Sequence, residues 1–208
     1  AKLAKSKYIL FINPDSELKK DSLQILLSHA KDEMADFIGG TTVKLDGQIH
    51  HTVVRHPTLP IGLLEFTNIG KIFGILSGHQ QFYYEDIQIF KSKVDMVVEA
   101  LGGAYLLAKL ISFNQLQGFD EDFCMYLGDV DIGFRAQKAG MKIVFCPHSR
   151  ITHIGGASSQ NKHHIRHQAW YDSRKMYFKK HFGNIVNIII QPIFTVEEYL
   201  LKVREKLL

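Results

Sequence analysis

The chain has 208 residues, 46% apolar and 22% charged, and its 25 basic and 21 acidic side chains leave a formal net charge of +4. That balance builds one globular domain with a real core and room for a small appendage, and it argues against a dedicated nucleic-acid binder while leaving room for a local anion site. The two cysteines, Cys124 and Cys146, stand apart in apolar settings, which points to free thiols in a reducing compartment.

The first predicted element is a strand at residues 8–12, Tyr-Ile-Leu-Phe-Ile, apolar on both faces as a strand covered by layers is. Residues 1–7 read as the tail of a helix with nothing before it, so the chain is expected to be a fragment, with an exposed apolar surface around residues 8–12 and 36–43. Asn13-Pro14-Asp15-Ser16 is a turn signal that sets polar groups past the strand's C-terminal end. A helix is predicted from Lys20 to Ala30, with Leu23, Leu26 and Leu27 on one face and Asp21 as its N-cap. Phe37 to Val43 reads as a strand broken at Gly39-Gly40, and residues 44–93 show no sustained period.

Val94 to Glu99 reads as a strand, and Gly102-Gly103 opens the apolar segment Ala104 to Ala108. Asp129 to Ala139 has helical spacing and closes on Gly140. Lys142 to Cys146 and Arg150 to His153 read as two short strands. Residues 163–182 alternate basic and aromatic groups at helical spacing. A last amphipathic helix is predicted from Thr195, whose hydroxyl and Glu198 would form a capping box, with Val196, Tyr199, Leu200, Val203 and Leu207 as its apolar stripe. The longest apolar run, Ile185 to Phe194, is too short to cross a bilayer and holds Asn187, Gln191 and Pro192, and no signal peptide is found. The expected location is cytoplasmic. Alternating strands and helices make the fold class α/β.

Three features carry possible chemistry. Asp15 reads either as a turn carboxylate or as a ligand for Mg²⁺ or Mn²⁺ on a diphosphate. Asp120, Glu121, Asp122, Asp129 and Asp131 put five carboxylates within twelve residues. Helix capping accounts for Asp129 or Asp131, but one cap needs one acid. His153 follows a strand and precedes Gly155-Gly156-Ala157-Ser158-Ser159, a run able to approach phosphate through its amides; a lone histidine is also a common satisfied group. Paired carboxylates also occur in glycosidases, which need no metal or diphosphate site, but the metal-type Asn13-Pro14-Asp15 and the distal His153 favour transfer. A zinc site from Cys124, Cys146, His148 and His153 lacks the close cysteine pairing of structural zinc.

In their order along the chain these segments resemble the family 2 glycosyltransferases of the GT-A fold, particularly the rhamnosyltransferase-like branch. Tyr8 through Asp15 is similar to the strand ending in the family's metal motif, here Asn-Pro-Asp. Val98-Glu-Ala-Leu-Gly-Gly-Ala-Tyr105 is similar to its acceptor-side segment, and Gly118 through Tyr126 with Asp129, Asp131 and Arg135 to its Glu-Asp catalytic motif. Pro147, His153 and the basic stretch Ser173 to His181 complete the series. The first acid of the usual Glu-Asp pair is replaced by Gly128, and the family's first nucleotide-binding strands have no counterpart.

The resemblance implies the acceptor and catalytic portion of a GT-A fold around a mixed sheet over residues 1–182, followed by an amphipathic extension, 183–208. It implies inverting transfer from a nucleoside-diphosphate sugar to a saccharide or lipid-linked acceptor in cell-surface polysaccharide synthesis. Asp129 would be the base, with Asp131 and Arg135 in support. Asp15 and His153 would hold Mg²⁺ or Mn²⁺, Gly102, Gly103, Asp120 and Glu121 would meet the acceptor, and Lys162, His163 and Arg166 the diphosphate. That last basic run reads equally as a solvated loop. The extension would either dock on the domain or lie on a membrane surface, the former favoured because Glu197, Glu198 and Glu205 dilute its basic charge. The competing reading is a non-catalytic remnant or interaction module.

Overall fold

In the computed structural model, which describes residues 3–68, 70, 82–84, 87–154 and 163–207, the apolar segments become nine strands and six helices among the described residues. In chain order they are β1 (Tyr8–Ile12), β2 (Ser16–Leu18), α1 (Ser22–Asp32), β3 (Phe37–Val43), β4 (Ile49–His50), β5 (Val53–Val54), α2 (Leu59–Leu64), α3 (Ile87–Lys91), β6 (Met96–Val97), β7 (Ala100–Leu101), β8 (Tyr105–Lys109), α4 (Leu110–Gln115), α5 (Gly128–Lys138), β9 (Ile143–His153) and α6 (His163–Leu207). Two units form: residues 1–56, 83–120 and 129–160 make the first, and 57–82, 121–128 and 161–208 the second.

The first unit is built on a mixed sheet of order β1-β8-β3-β9-β2, with β4 added to β3 and β6 to β9. Only the β3–β9 pair is parallel. Period-two alternation sends successive side chains to opposite faces. Phe37, Leu106, Ala108 and Phe145 therefore pack with Phe113, Ile132 and Ala136 on one side, joined by Ile9 and Phe11. Ile38, Tyr105, Leu107, Val144 and Cys146 pack on the other with Leu26 and Ala30 of α1, joined by Tyr8 and Leu10. Burying each large apolar side chain contributes about 1.5–3 kcal/mol.

Several sequence expectations are corrected here. Gly39-Gly40 does not break β3, because the strand carries on with a register shift after Gly40. The two strands expected at 142–153 are one, β9, bulged between Cys146 and Arg150 where it faces that shift. The strand expected over 94–99 shrinks to Met96–Val97. Residue 21 sits before α1 with φ 61° and its carboxylate makes no cap bond, so Asp21 is not a side-chain cap. No exposed apolar surface lies at 36–43: β3 is an inner strand, buried from Phe37 to Thr42. β1 is an edge strand, half-buried, with Ile12 37% exposed.

In the second unit α6 is two helical stretches joined at Gly183, whose non-helical backbone has a φ of 72° that only glycine adopts easily, and the second stretch contains Pro192. The helix expected to start at Thr195 therefore starts far upstream. Its hydroxyl donates to the Gln191 carbonyl at 2.8 Å instead of capping. Phe178 and Phe194 meet across the kink with ring centres 5.7 Å apart. Between them Arg174, 1% exposed, gives one guanidinium nitrogen to Glu197 at 2.6 Å and to the Phe66 carbonyl, and the other to the Phe194 carbonyl at 3.2 Å. Burial alone would raise the Glu198 carboxyl, but hydrogen bonds from Lys175 and Lys202 bring it down to about 2. These pairs turn Glu197 and Glu198 inward. Ile193, Val196, Tyr199, Leu200 and Val203 are left exposed, so the expected stripe is not covered among the described residues.

A Cβ on Gly40 would strike the Ser149 carbonyl oxygen and come within 2.8 Å of the Tyr105 ring. Gly40→Ala is expected to cost about 1–3 kcal/mol, the range for forced overpacking. Urea unfolding should show a lower midpoint at an unchanged slope; an unchanged midpoint would mean that the bulge gives way freely.

Candidate active site

The Asn13-Pro14-Asp15-Ser16 turn is fixed at both ends by backbone. The Asn13 amide donates to the Ala104 carbonyl at 3.2 Å, and the Ser16 amide donates back to Asn13 at 3.1 Å. Beyond the turn, β2 pairs with the end of β9 in the register Ser16↔His153, and the Ile154 amide donates to the Asp15 carbonyl at 3.1 Å. Strand pairing thereby sets two side chains distant in sequence against each other. Asp15 Oδ1 lies 3.1 Å from His153 Nε2, and Asn13 Nδ2 lies 3.1 Å from the same nitrogen.

Both side chains are largely buried, at 19% and 14% exposed. Where Nε2 accepts from Asn13, its lone pair also faces a carboxylate oxygen, and a cation between the two relieves that opposition. Carboxylate oxygen plus imidazole is a donor set that Mg²⁺ or Mn²⁺ accepts when a diphosphate and water fill the other positions. His50 on β4 stands with its ring centre 5.5 Å from that of His153. Burial first, then the neighbouring His153, lowers its pKa.

Asp129 opens α5 after Leu127, which takes the left-handed conformation at φ 62°. Its Oδ1 accepts from the Val130 amide at 2.9 Å and its Oδ2 from the Gly103 amide at 2.8 Å. The Gly102-Gly103 turn is held from its other side by the Gly102 amide, which donates to Thr52 at 2.7 Å. Desolvation raises the Asp129 pKa, and the hydrogen bonds from the amides of Gly103, Val130 and Asp129 itself offset part of the rise. The group thus holds a proton more readily than a solvated carboxylate does.

Asp131 and Arg135 form a clamp. Asp131 is fully buried and accepts from Arg135 Nε at 2.7 Å; the rest of the guanidinium donates to the carbonyls of Leu116 at 2.6 Å and Gly118 at 2.9 Å. These bonds tie α5 to the turn before Phe119 and Asp120.

The remaining sequence-derived residues are less drawn together. Asp120 is half-buried and Glu121 is exposed. Arg166 donates from Nε to the Tyr126 hydroxyl at 3.3 Å. Lys162 lies outside the described residues, and so does the side chain of His163. Both cysteines are free, with Cys124 exposed and Cys146 buried. Burial pushes the Cys146 thiol up to about 12, so with no cation beside it the thiol keeps its proton at neutral pH. Sequence reasoning missed Asn13 and His50. Asn13 carried a signal, being the first residue of the Asn-Pro-Asp turn, whereas His50 reaches the site only through the pairing Thr42↔His50.

Comparison with known proteins adds three findings. A family model described as glycosyltransferase like family 2 matches residues 1–173. The rhamnosyltransferase WbbL of Escherichia coli strain K12 is 24% identical over 180 residues, 85% of this chain and 58% of that protein. An N-acetylglucosaminyl-diphospho-decaprenol L-rhamnosyltransferase of Mycobacterium tuberculosis strain H37Rv is 27% identical over 147 residues, 70% of this chain and 46% of that protein. The chain thus spans about half the length of the curated relatives it matches.

Proposed function

We propose that this chain, which belongs to glycosyltransferase family 2, is the acceptor and catalytic portion of an enzyme moving a sugar from a nucleoside-diphosphate sugar to a saccharide or lipid-linked acceptor, with inversion. The product would enter a bacterial cell-surface polysaccharide. Two relatives carry rhamnosyltransferase names, and one of those names includes a diphospho-decaprenol, which supports sugar transfer to a lipid-linked acceptor. The observation that carries the reading is the 3.1 Å approach of Asp15 to His153.

In this reading Asp15 and His153 hold Mg²⁺ or Mn²⁺, whose charge would stabilise the leaving nucleoside diphosphate. Asp129 takes the proton from the acceptor hydroxyl as that oxygen attacks the anomeric carbon from the face opposite the diphosphate. Its raised pKa supports the role, since a stronger base removes the proton more readily. Gly102, Gly103, Asp120 and Glu121 bind the acceptor, and Lys162, His163 and Arg166 the diphosphate, on the strength of the family likeness. Asp131 and Arg135 keep the α5 end in position. A cytoplasmic location belongs to the same reading.

One observation favours the alternative of a non-catalytic module: both oxygens of Asp129 are engaged by backbone amides, and Gly128 stands where the family's first acid is expected. Turnover in the full-length protein separates the two. Asp129→Asn should lower kcat by roughly 10²–10⁴-fold while leaving nucleoside-diphosphate affinity unchanged. Unchanged turnover, or affinity falling in step with kcat, counts against Asp129 as the base.

A lipid-linked acceptor also calls for contact with a membrane, and residues 183–208 are the proposed means. The outward face from Ile188 to Val203 carries Ile189, Ile193, Val196, Tyr199 and Leu200 in the open, while Glu197 and Glu198 are turned in. No helix of the described residues is long and apolar enough to cross a bilayer, so such a face would lie along the surface. Replacing Ile193 and Leu200 together by Glu should abolish cosedimentation with anionic vesicles. Equal sedimentation of the variant and the parent rejects this contact.

A further inference from the structure

The β9 bulge gathers a second set of donors in the first unit. Pairing with β3 passes from Gly40↔Cys146 directly to Thr41↔Arg150, leaving residues 147–149 outside the ladder. Cys146 is fully buried on the α1 side of the sheet. His148 projects from the bulge, its Nε2 2.9 Å from the Lys93 carbonyl oxygen. Opposite stand His29, near the end of α1, and Asp95, just before β6. His29 Nδ1 and Asp95 Oδ2 are 2.6 Å apart, and donor atoms of His29, Asp95 and Cys146 all lie within 4.8 Å of one another. The ring centre of His148 is 5.9 Å from that of His29.

A second observation points to a ligand at this place. The Asp95 side chain is 5% exposed, and its Oδ1 is buried without a hydrogen-bond partner. A carboxylate withdrawn that far from water normally has both oxygens engaged; His29 meets Oδ2, and the Cys146 thiol, itself a donor of the same cluster, also hydrogen-bonds to this carboxylate.

We infer that His29, Asp95 and Cys146 form a site for a thiophilic divalent cation, Zn²⁺ foremost, with His148 as a further donor at its rim. One sulfur, one imidazole nitrogen and one carboxylate oxygen are ligands of tetrahedral zinc, and a fourth donor completes the set. Binding displaces the thiol proton to solvent, and the neutral imidazole of His29 gives its Nδ1 lone pair; no oxidation is involved. Mg²⁺ and Mn²⁺ favour oxygen over sulfur, so this site differs in chemistry from the Asp15–His153 pair at the far end of β9. The zinc set discounted from sequence, Cys124, Cys146, His148 and His153, shares only Cys146 and His148 with this cluster. The cation would join α1, the segment entering β6 and the β9 bulge.

The test is a Co²⁺ titration of the full chain after chelator treatment. One equivalent should bring up a thiolate-to-cobalt charge-transfer band, which Zn²⁺ then removes by competition. The band should vanish in Cys146→Ser, persist in Cys124→Ser, and need at least ~10-fold more Co²⁺ in Asp95→Asn. His29→Ala, at a partly exposed position, should lose the band as well, which keeps the test decisive if Cys146→Ser does not fold. Absence of the band in the parent chain leaves a His29–Asp95 hydrogen bond only and overturns the site. A band that follows Cys124 overturns it equally.

Discussion

At Gly40 the backbone of β3 comes so close to Ser149 and the Tyr105 ring that no side chain fits between them. That approach lets β9 bulge and then resume its pairing with β3 as far as Val43↔Thr152. Hydroxyl groups hold the bulge from several sides. Ser149 Oγ donates to the Ser22 carbonyl at 2.8 Å, so its 2.8 Å contact with Tyr105 is one in which the tyrosine donates. Thr41 donates to the Pro147 carbonyl at 3.1 Å, and Ser22 Oγ donates to the Arg150 carbonyl. The hydroxyls of Ser22, Thr41, Tyr105 and Ser149 each have a partner, the condition under which such a network fixes one arrangement instead of several. Since the resumed strand determines where His153 falls, the site at its end inherits its geometry from these contacts.

β9 thus positions two side-chain clusters, one at its C-terminal end and one at its central bulge. Its far end sets imidazole against carboxylate, suited to a hard cation and a diphosphate. Its bulge sets a thiol near an imidazole and a buried carboxylate, suited to a softer cation. Asp129 reaches the same unit from α5, and its hydrogen bond with Gly103 joins the acidic motif to the glycine turn. The Arg135 clamp supports that junction from behind, because its guanidinium satisfies two carbonyls of the preceding loop as well as Asp131. Removing one partner of such a buried pair typically costs about 3–5 kcal/mol.

Much of this was legible in the sequence wherever a local pattern and the fold agree. The run Tyr8–Ile12 packs on both faces as its composition implied, and α5 ends before Gly140, whose φ is 71°. Asp15 and His153 were grouped through the order of motifs, and strand pairing brings their side chains together. Illegible features are those decided by distant partners. Thr195 and Glu198 have the spacing of a capping box, but α6 continues through them because Phe194 and Glu197 are buried against Phe178 and Arg174. Asp21 looks like a cap, yet Ser22 is drawn toward Arg150 and the residue before it takes a left-handed turn. His29 and Asp95 meet through α1, β6 and β9, which no periodicity reveals.

In the proposed function Asp15 and His153 act as one cation site for a sugar-nucleotide diphosphate. Its most direct test is the affinity of the full-length protein for a nucleoside diphosphate, titrated with Mn²⁺ present and with chelator, in the parent and in Asp15→Asn and His153→Ala. Binding is expected to need Mn²⁺ and to weaken by about 10-fold or more in each variant. Affinity that is the same with chelator, or the same in both variants, would contradict it.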